Sequence, residues 1–143
     1  MKHSIPDRHA PRRLRIAALL LLALGGTAAH AQVAVVASAK SSQGSLTPEQ
    51  LANLYLGKLP GQLYDLPEGS PLREQFYSKG TGRTTAQVKA TWARLTFSGK
   101  ASPPKEVASS ADLKKALAAN PDAIGYIEKS AVDPTVKVLL ELN

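Results

Sequence analysis

Between residues 33 and 142 the chain alternates short apolar runs with stretches in which apolar residues return every third or fourth position. Val33-Ala34-Val35-Val36-Ala37 is continuously apolar, the pattern of a strand buried on both faces. Ser38 to Ser45 is polar and turn-like. Thr47-Pro48-Glu49-Gln50 then reads as a helix start: Thr47 caps, Pro48 takes the first position and Gln50 closes a capping box. Leu51, Leu54 and Tyr55 form one apolar face, and Gly57 ends the helix. Gln62 to Leu66 predicts a second strand, and Leu72, Phe76 and Tyr77 a second helix that stops at Gly80-Thr81-Gly82. Thr84 with Gln87 opens a third helix, in which Val88, Trp92 and Leu95 share a face, so Trp92 is expected in the core. Ser98 to Ser110 has no period and reads as a loop whose Lys100 and Lys105 are solvated. A fourth helix starts at Ser109 or Ser110 with Leu113, Ala116 and Leu117 inward, and Asn120-Pro121 ends it. Ala123 to Ile127 and Val136 to Leu142 are the last two strands.

Strands separated by helices predict an α/β fold with a central mixed, mostly parallel sheet and helices on both faces; the final strand can pair antiparallel. No repeat or low-complexity tract interrupts residues 32–143, which read as one domain.

Residues 1–31 read differently. Lys2, Arg8, Arg12, Arg13 and Arg15 give a basic start, Ile16 to Leu24 is an apolar run too short to span a bilayer, and Ala29-His30-Ala31 supplies a small-residue cleavage site. This is a secretory signal peptide cut after Ala31, which directs the product to the periplasm with no membrane insertion after cleavage. Arg12-Arg13 raises the twin-arginine route, but Leu14, Arg15 and Ile16 continue it poorly. Gln32 in place of Cys removes a lipid anchor.

That segment also distorts the composition. It holds five Lys/Arg and one Asp, a contribution of +4, so residues 32–143 keep only +3 of the formal +7. They carry no basic run, and nucleic acid is not an expected partner. All three histidines lie in the leader and the chain has no cysteine. Residues 32–143 therefore have no Ser-His-Asp or Cys-His constellation, no usual zinc ligand set and no disulfide. Glu68 and Glu74 are six apart, off the helical repeat, and make a poor acid/base pair. Enzymatic activity, a cofactor and a metal are not expected.

The one candidate for chemistry is Asp65 to Tyr77. A strand that passes Glu68 and Gly69 and turns into a helix at Ser70 presents unpaired backbone N–H groups, the positive end of the helix dipole and a hydroxyl, the ingredients of an anion site. The alternative is that Ser70 only caps the helix, with Pro71 at its first position.

Three blocks, Ser45 to Lys58, Glu68-Gly69-Ser70, and Asn120-Pro121-Asp122-Ala123-Ile124-Gly125-Tyr126-Ile127-Glu128, make the chain resemble the phosphate-binding proteins of ABC importers. The resemblance covers nearly all of residues 32–143 and implies a single lobe of a type II periplasmic-binding-protein-like fold. It implies phosphate or a similar oxyanion as ligand, and a homodimer or a second-lobe partner to complete the cleft. It also places the anion at Glu68, Gly69 and Ser70, the family's Arg-x-Asp-Gly-Ser-Gly-Thr run. Here Leu66 stands in the arginine's place, Pro71 in the second glycine's and Leu72 in the threonine's. A bidentate cation, a backbone donor and a hydroxyl are thereby lost. Arg73 is the candidate to restore the charge, although solvent is the default place for its side chain. The Trp-bearing segment that follows Gly-Lys in the family is cut down to Leu59 to Gln62. Weak binding follows, or a fold retained as a protein-interaction module.

Overall fold

Five β-branched or small apolar residues and a serine form β1 (Val33–Ser38), and in the computed structural model, which describes residues 32–143, all six are buried. The leader lies outside the described residues. Strand β1 is the middle of a three-stranded sheet, flanked by β4 (Ile124–Glu128) and β5 (Val136–Leu142). Val33 pairs with Glu128 on one side and Leu142 on the other. Between the two flanking strands a short 3₁₀ turn, Lys129–Ala131, begins the return across the end of the sheet.

Both pairings of β1 are antiparallel, which corrects the expectation of a mostly parallel sheet. The cause is topological. Strand β1 neighbours the last two strands and not the one that follows its own helix, so the helix after β1 is no crossover between adjacent parallel strands. A run buried on both faces records burial and says nothing of its neighbours' direction. Parallel pairing is confined to the other side: β2 (Tyr64–Asp65) pairs parallel with β3 (Lys105–Glu106), and Leu63 bridges parallel to Ile124. Strand β3 falls in the segment expected to be an irregular loop. It is two residues long and exposed, so no hydrophobic alternation could mark it.

The four helices are α1 (Pro48–Tyr55), α2 (Pro71–Thr81), α3 (Thr85–Phe97) and α4 (Ser110–Ala119). Thr47 and Thr84 each cap a helix in a complete capping box, with Gln50 and Gln87 answering. Helices do cover both faces of the sheet, as two adjacent residues of β4 demonstrate. Gly125 faces α4: a Cβ built there would lie 2.7 Å from Leu113 Cδ2, so glycine is what admits the helix. Tyr126 faces the other way, stacked on Phe76 of α2 with centroids 3.8 Å apart. Tyr55 of α1 meets Phe76 edge-on at 4.6 Å, and its hydroxyl donates to Tyr64 O at 2.8 Å. Burial and the Asp65 charge together hold the Tyr55 hydroxyl well above its usual pKa. Trp92 anchors α3 to this layer through Nε1, which donates to Tyr55 O at 2.9 Å. The aromatic core thus lies directly behind the end of β2, where the candidate site begins.

Candidate functional site

At the end of β2 the chain leaves the core through Asp65 and Leu66 and turns at Gly69, whose φ of 84° favours glycine. Ser70 then caps α2. Its backbone N–H donates to Pro67 O at 3.1 Å, and its Oγ accepts from Arg73 N at a long 3.5 Å. Glu74 N–H is taken by Ser70 O at 3.2 Å, and Pro71 has no N–H to give. In this first turn only Leu72 N–H lacks a protein acceptor among the described residues, and Leu72 is buried. The helix start keeps its dipole and offers few accessible donors.

The four candidate residues share this corner, and two already have ionic partners. Glu68 is exposed and pairs with Lys89 of α3 at 2.9 Å, which lowers its pKa. Gly69 is exposed beside them and lines a small cleft of about 190 Å³ together with Glu68, Arg73 and Lys89. Ser70 is half-buried and engaged as a cap. Arg73 departs from the expectation that its side chain would lie in solvent: it is 12% exposed and turns back toward β2. Its Nη1 donates to Leu66 O at 2.8 Å and lies 3.5 Å from Glu106 Oε2, while Nε is 3.6 Å from Asp65 Oδ2. The guanidinium also stands over the Tyr77 ring at 5.8 Å. The reason for the turn is electrostatic: a carboxylate buried at the end of β2 needs a cation, and Arg73, in the first turn of α2, is within reach.

That carboxylate, Asp65, is the residue sequence reasoning missed. It is 3% exposed and receives Leu66 N–H at 2.9 Å, Tyr77 O–H at 2.5 Å and a short hydrogen bond from Tyr126 O–H. Burial pushes the pKa of both tyrosine hydroxyls far up, and the Asp65 charge and its hydrogen bonds act in the same direction. An aspartate between Tyr64 and Leu66 in an apolar run was the available signal, since a buried carboxylate in a strand must have partners. Its partners, 12 and 61 residues away, could not be read from spacing.

Beyond Arg73 lies a groove of about 540 Å³ between α3 and the segment leading into β3. Its apolar wall is formed by Val88, Trp92, Phe97, Pro103 and Pro104. Asp65, Glu68 and Glu106 against Arg73 and Lys89 give its polar edge a net charge of −1, which does not favour a second anion.

No protein-family profile and no curated protein matches the chain. Solved structures do. Over 76% of this chain it superposes on a phosphate ABC transporter substrate-binding protein with bound phosphate from Clostridium perfringens, with TM-score 0.60 and 21% identity. The chain shares the fold of a part of that protein. An ABC-type phosphate transport receptor from Vibrio cholerae matches with TM-score 0.59 and 21% identity, and PstS from Borrelia burgdorferi with 0.54 and 14%, each again over 76% of this chain. The match takes in 45%, 46% and 47% of those three chains, so this chain spans less than half of the structures it resembles. No helix among the described residues is long and apolar enough to cross a membrane.

Proposed function

We propose that residues 32–143 are a non-enzymatic, exported binding protein of the phosphate-importer type, freed in the periplasm by cleavage after Ala31. Its oxyanion half-site is the α2 start around Glu68, Gly69, Ser70 and Arg73, and one lobe alone holds phosphate at millimolar concentration or weaker. The likeness to phosphate-binding structures supports the ligand class, and Gly69 at the open edge of the helix start supports the place. The observation that carries the weak affinity is Arg73. Its charge is spent on Asp65 and Glu106, and the remaining helix-start donors compete with water beside an exposed Gly69. A ligand contacting one wall of a cleft forgoes the dehydration that closure supplies.

Titration calorimetry of residues 32–143 with phosphate tests the affinity; micromolar binding by a monomer would refute it. Amide shifts test the place. Phosphate at tens of millimolar, on the order of the expected Kd or above it, should move the Gly69 and Ser70 signals first. If signals elsewhere move and these do not, the half-site is misplaced. A second reading, a protein-interaction module that keeps the fold without ligand, is favoured by one observation, the apolar groove with Phe97 beside it.

A further inference from the structure

Gln32 is exposed and stands one residue before β1, the middle strand of the three-stranded sheet. Its carbonyl accepts Lys129 N–H at 2.8 Å, so its backbone is tied to the end of the sheet while the residue stays open to solvent. Cleavage after Ala31 would make it the first residue of the exported protein, with a free α-amine. A glutamine in that place carries its own electrophile: the side-chain carbonyl carbon, Cδ, lies at the distance along the chain that closes a five-membered ring on the amine.

We propose that Gln32 is a modification site, converted after export to an N-terminal pyroglutamate; this rests on the cleavage reading above and not on phosphate. The α-amine nitrogen attacks Cδ, the new N–C bond closes the lactam, and the amide nitrogen leaves as ammonia, taking up the proton that the amine gives up. No oxidant, reductant or water is consumed. An α-amine titrates at about 7.7–8.0, so near neutral pH part of it is already the uncharged nucleophile. The carbonyl held by Lys129 takes no part, and the sheet end keeps that hydrogen bond. The product matters because of what comes next. Val33 to Ala37 are each at most 1% exposed and pair with both flanking strands, so trimming from this end would run directly into the strand that the whole sheet needs. A lactam removes the charged amine that an aminopeptidase recognises, and it does so at the last residue that lies outside that strand.

The full chain, exported by the cells that express it and purified from the periplasm, answers the question by intact-mass spectrometry. The expected mass is that of residues 32–143 less one ammonia. Stepwise sequencing from the amino end should fail on this protein. After unfolding and treatment with pyroglutamyl aminopeptidase it should begin at Val33. Gln32→Asp, whose side chain is one methylene too short for the five-membered ring, should keep its full mass and sequence from position 32 without the peptidase. Its melting temperature should match that of the wild type, because the residue is exposed. Wild-type protein that retains its ammonia and reads directly from Gln32 would overturn the proposal and leave the cleavage reading standing. A first residue other than Gln32 would overturn both. Loss of ammonia that persists in Gln32→Asp would overturn the assignment to this residue.

Discussion

Asp65→Ala should be the most damaging single truncation in the candidate site, and its size can be worked from the hydrogen bonds it removes. The substitution leaves Tyr77 O–H and Tyr126 O–H, both in the core, without the acceptor they now share. Each orphaned buried donor costs about 1–3 kcal/mol. It also strips Arg73, 12% exposed, of its buried counter-charge, although Leu66 O and Glu106 still hold the guanidinium. Partial retention of those partners keeps the total at about 3–5 kcal/mol, the range for breaking a buried ion pair. A domain of this size has about 5–15 kcal/mol in all, so the variant sits near the edge of folding. Urea unfolding followed by circular dichroism measures the loss. Asp65→Asn, which keeps an acceptor, should lose roughly half as much. Combining Asp65→Ala with Arg73→Ala should lose less than the two singles together, because the second change removes the stranded charge. A loss below about 1 kcal/mol for Asp65→Ala would refute the view that this carboxylate is the keystone of the corner.

Other expectations are simpler. Ser70→Ala should lose about 1 kcal/mol on thermal melting if the hydroxyl acts as a cap. The 3.5 Å length of its hydrogen bond argues for the lower part of the capping range. Gly125→Ala should lose about 1–3 kcal/mol by forcing Leu113 off its seat, and Leu113→Ala in the same chain should restore part of it; equal stability of wild type and Gly125→Ala would dismiss the packing argument. Tyr77 and Tyr126 have native pKa values raised above the unfolded value of 10.0, so the stability they contribute is complete below pH 10 and lost as pH climbs beyond it. Phenolate absorbance and circular dichroism should accordingly rise and fall together in alkali, and ionisation of these residues in the folded protein near pH 10 would contradict this. Asp133 is held at about 2 by hydrogen bonds from Lys114 and Thr135, against 3.8 unfolded; its contribution is present above 3.8 and lost as pH falls toward 2. Lys114→Met should flatten that part of the acid denaturation curve.

Much of the fold was legible because it rests on local chemistry. The two Thr–Gln capping boxes, the Ser70-Pro71 start and the apolar faces of α1 and α3 each occupy a few consecutive residues, and each lies where its pattern placed it. Sheet direction was not legible, because β1 is set by partners about 90 to 110 residues further on and its uniform apolar run fits parallel and antiparallel neighbours alike. The candidate site divides in the same way. Glu68, Gly69, Ser70 and Arg73 could be named from one stretch, but the inward turn of Arg73 depends on Asp65, and the burial of Asp65 depends on Tyr126 from a distant strand. Phe97 illustrates a third limit. Its place one residue beyond Thr96 in an otherwise ordinary helix end carries no mark of exposure until the groove beside it is seen.

The pairing of Val33 with both Glu128 and Leu142 has a consequence for how the chain comes into being. Of the described strands β1 is made first and pairs with the two made last, so until residues 124–142 follow, its backbone groups turn to water or to another molecule. Until residues 136–142 have been made, a nascent chain lacks one of the two partners of β1 and this sheet stays unfinished. Stalled products ending before residue 136 would expose a bare apolar ribbon, the kind of fragment that aggregates or is degraded.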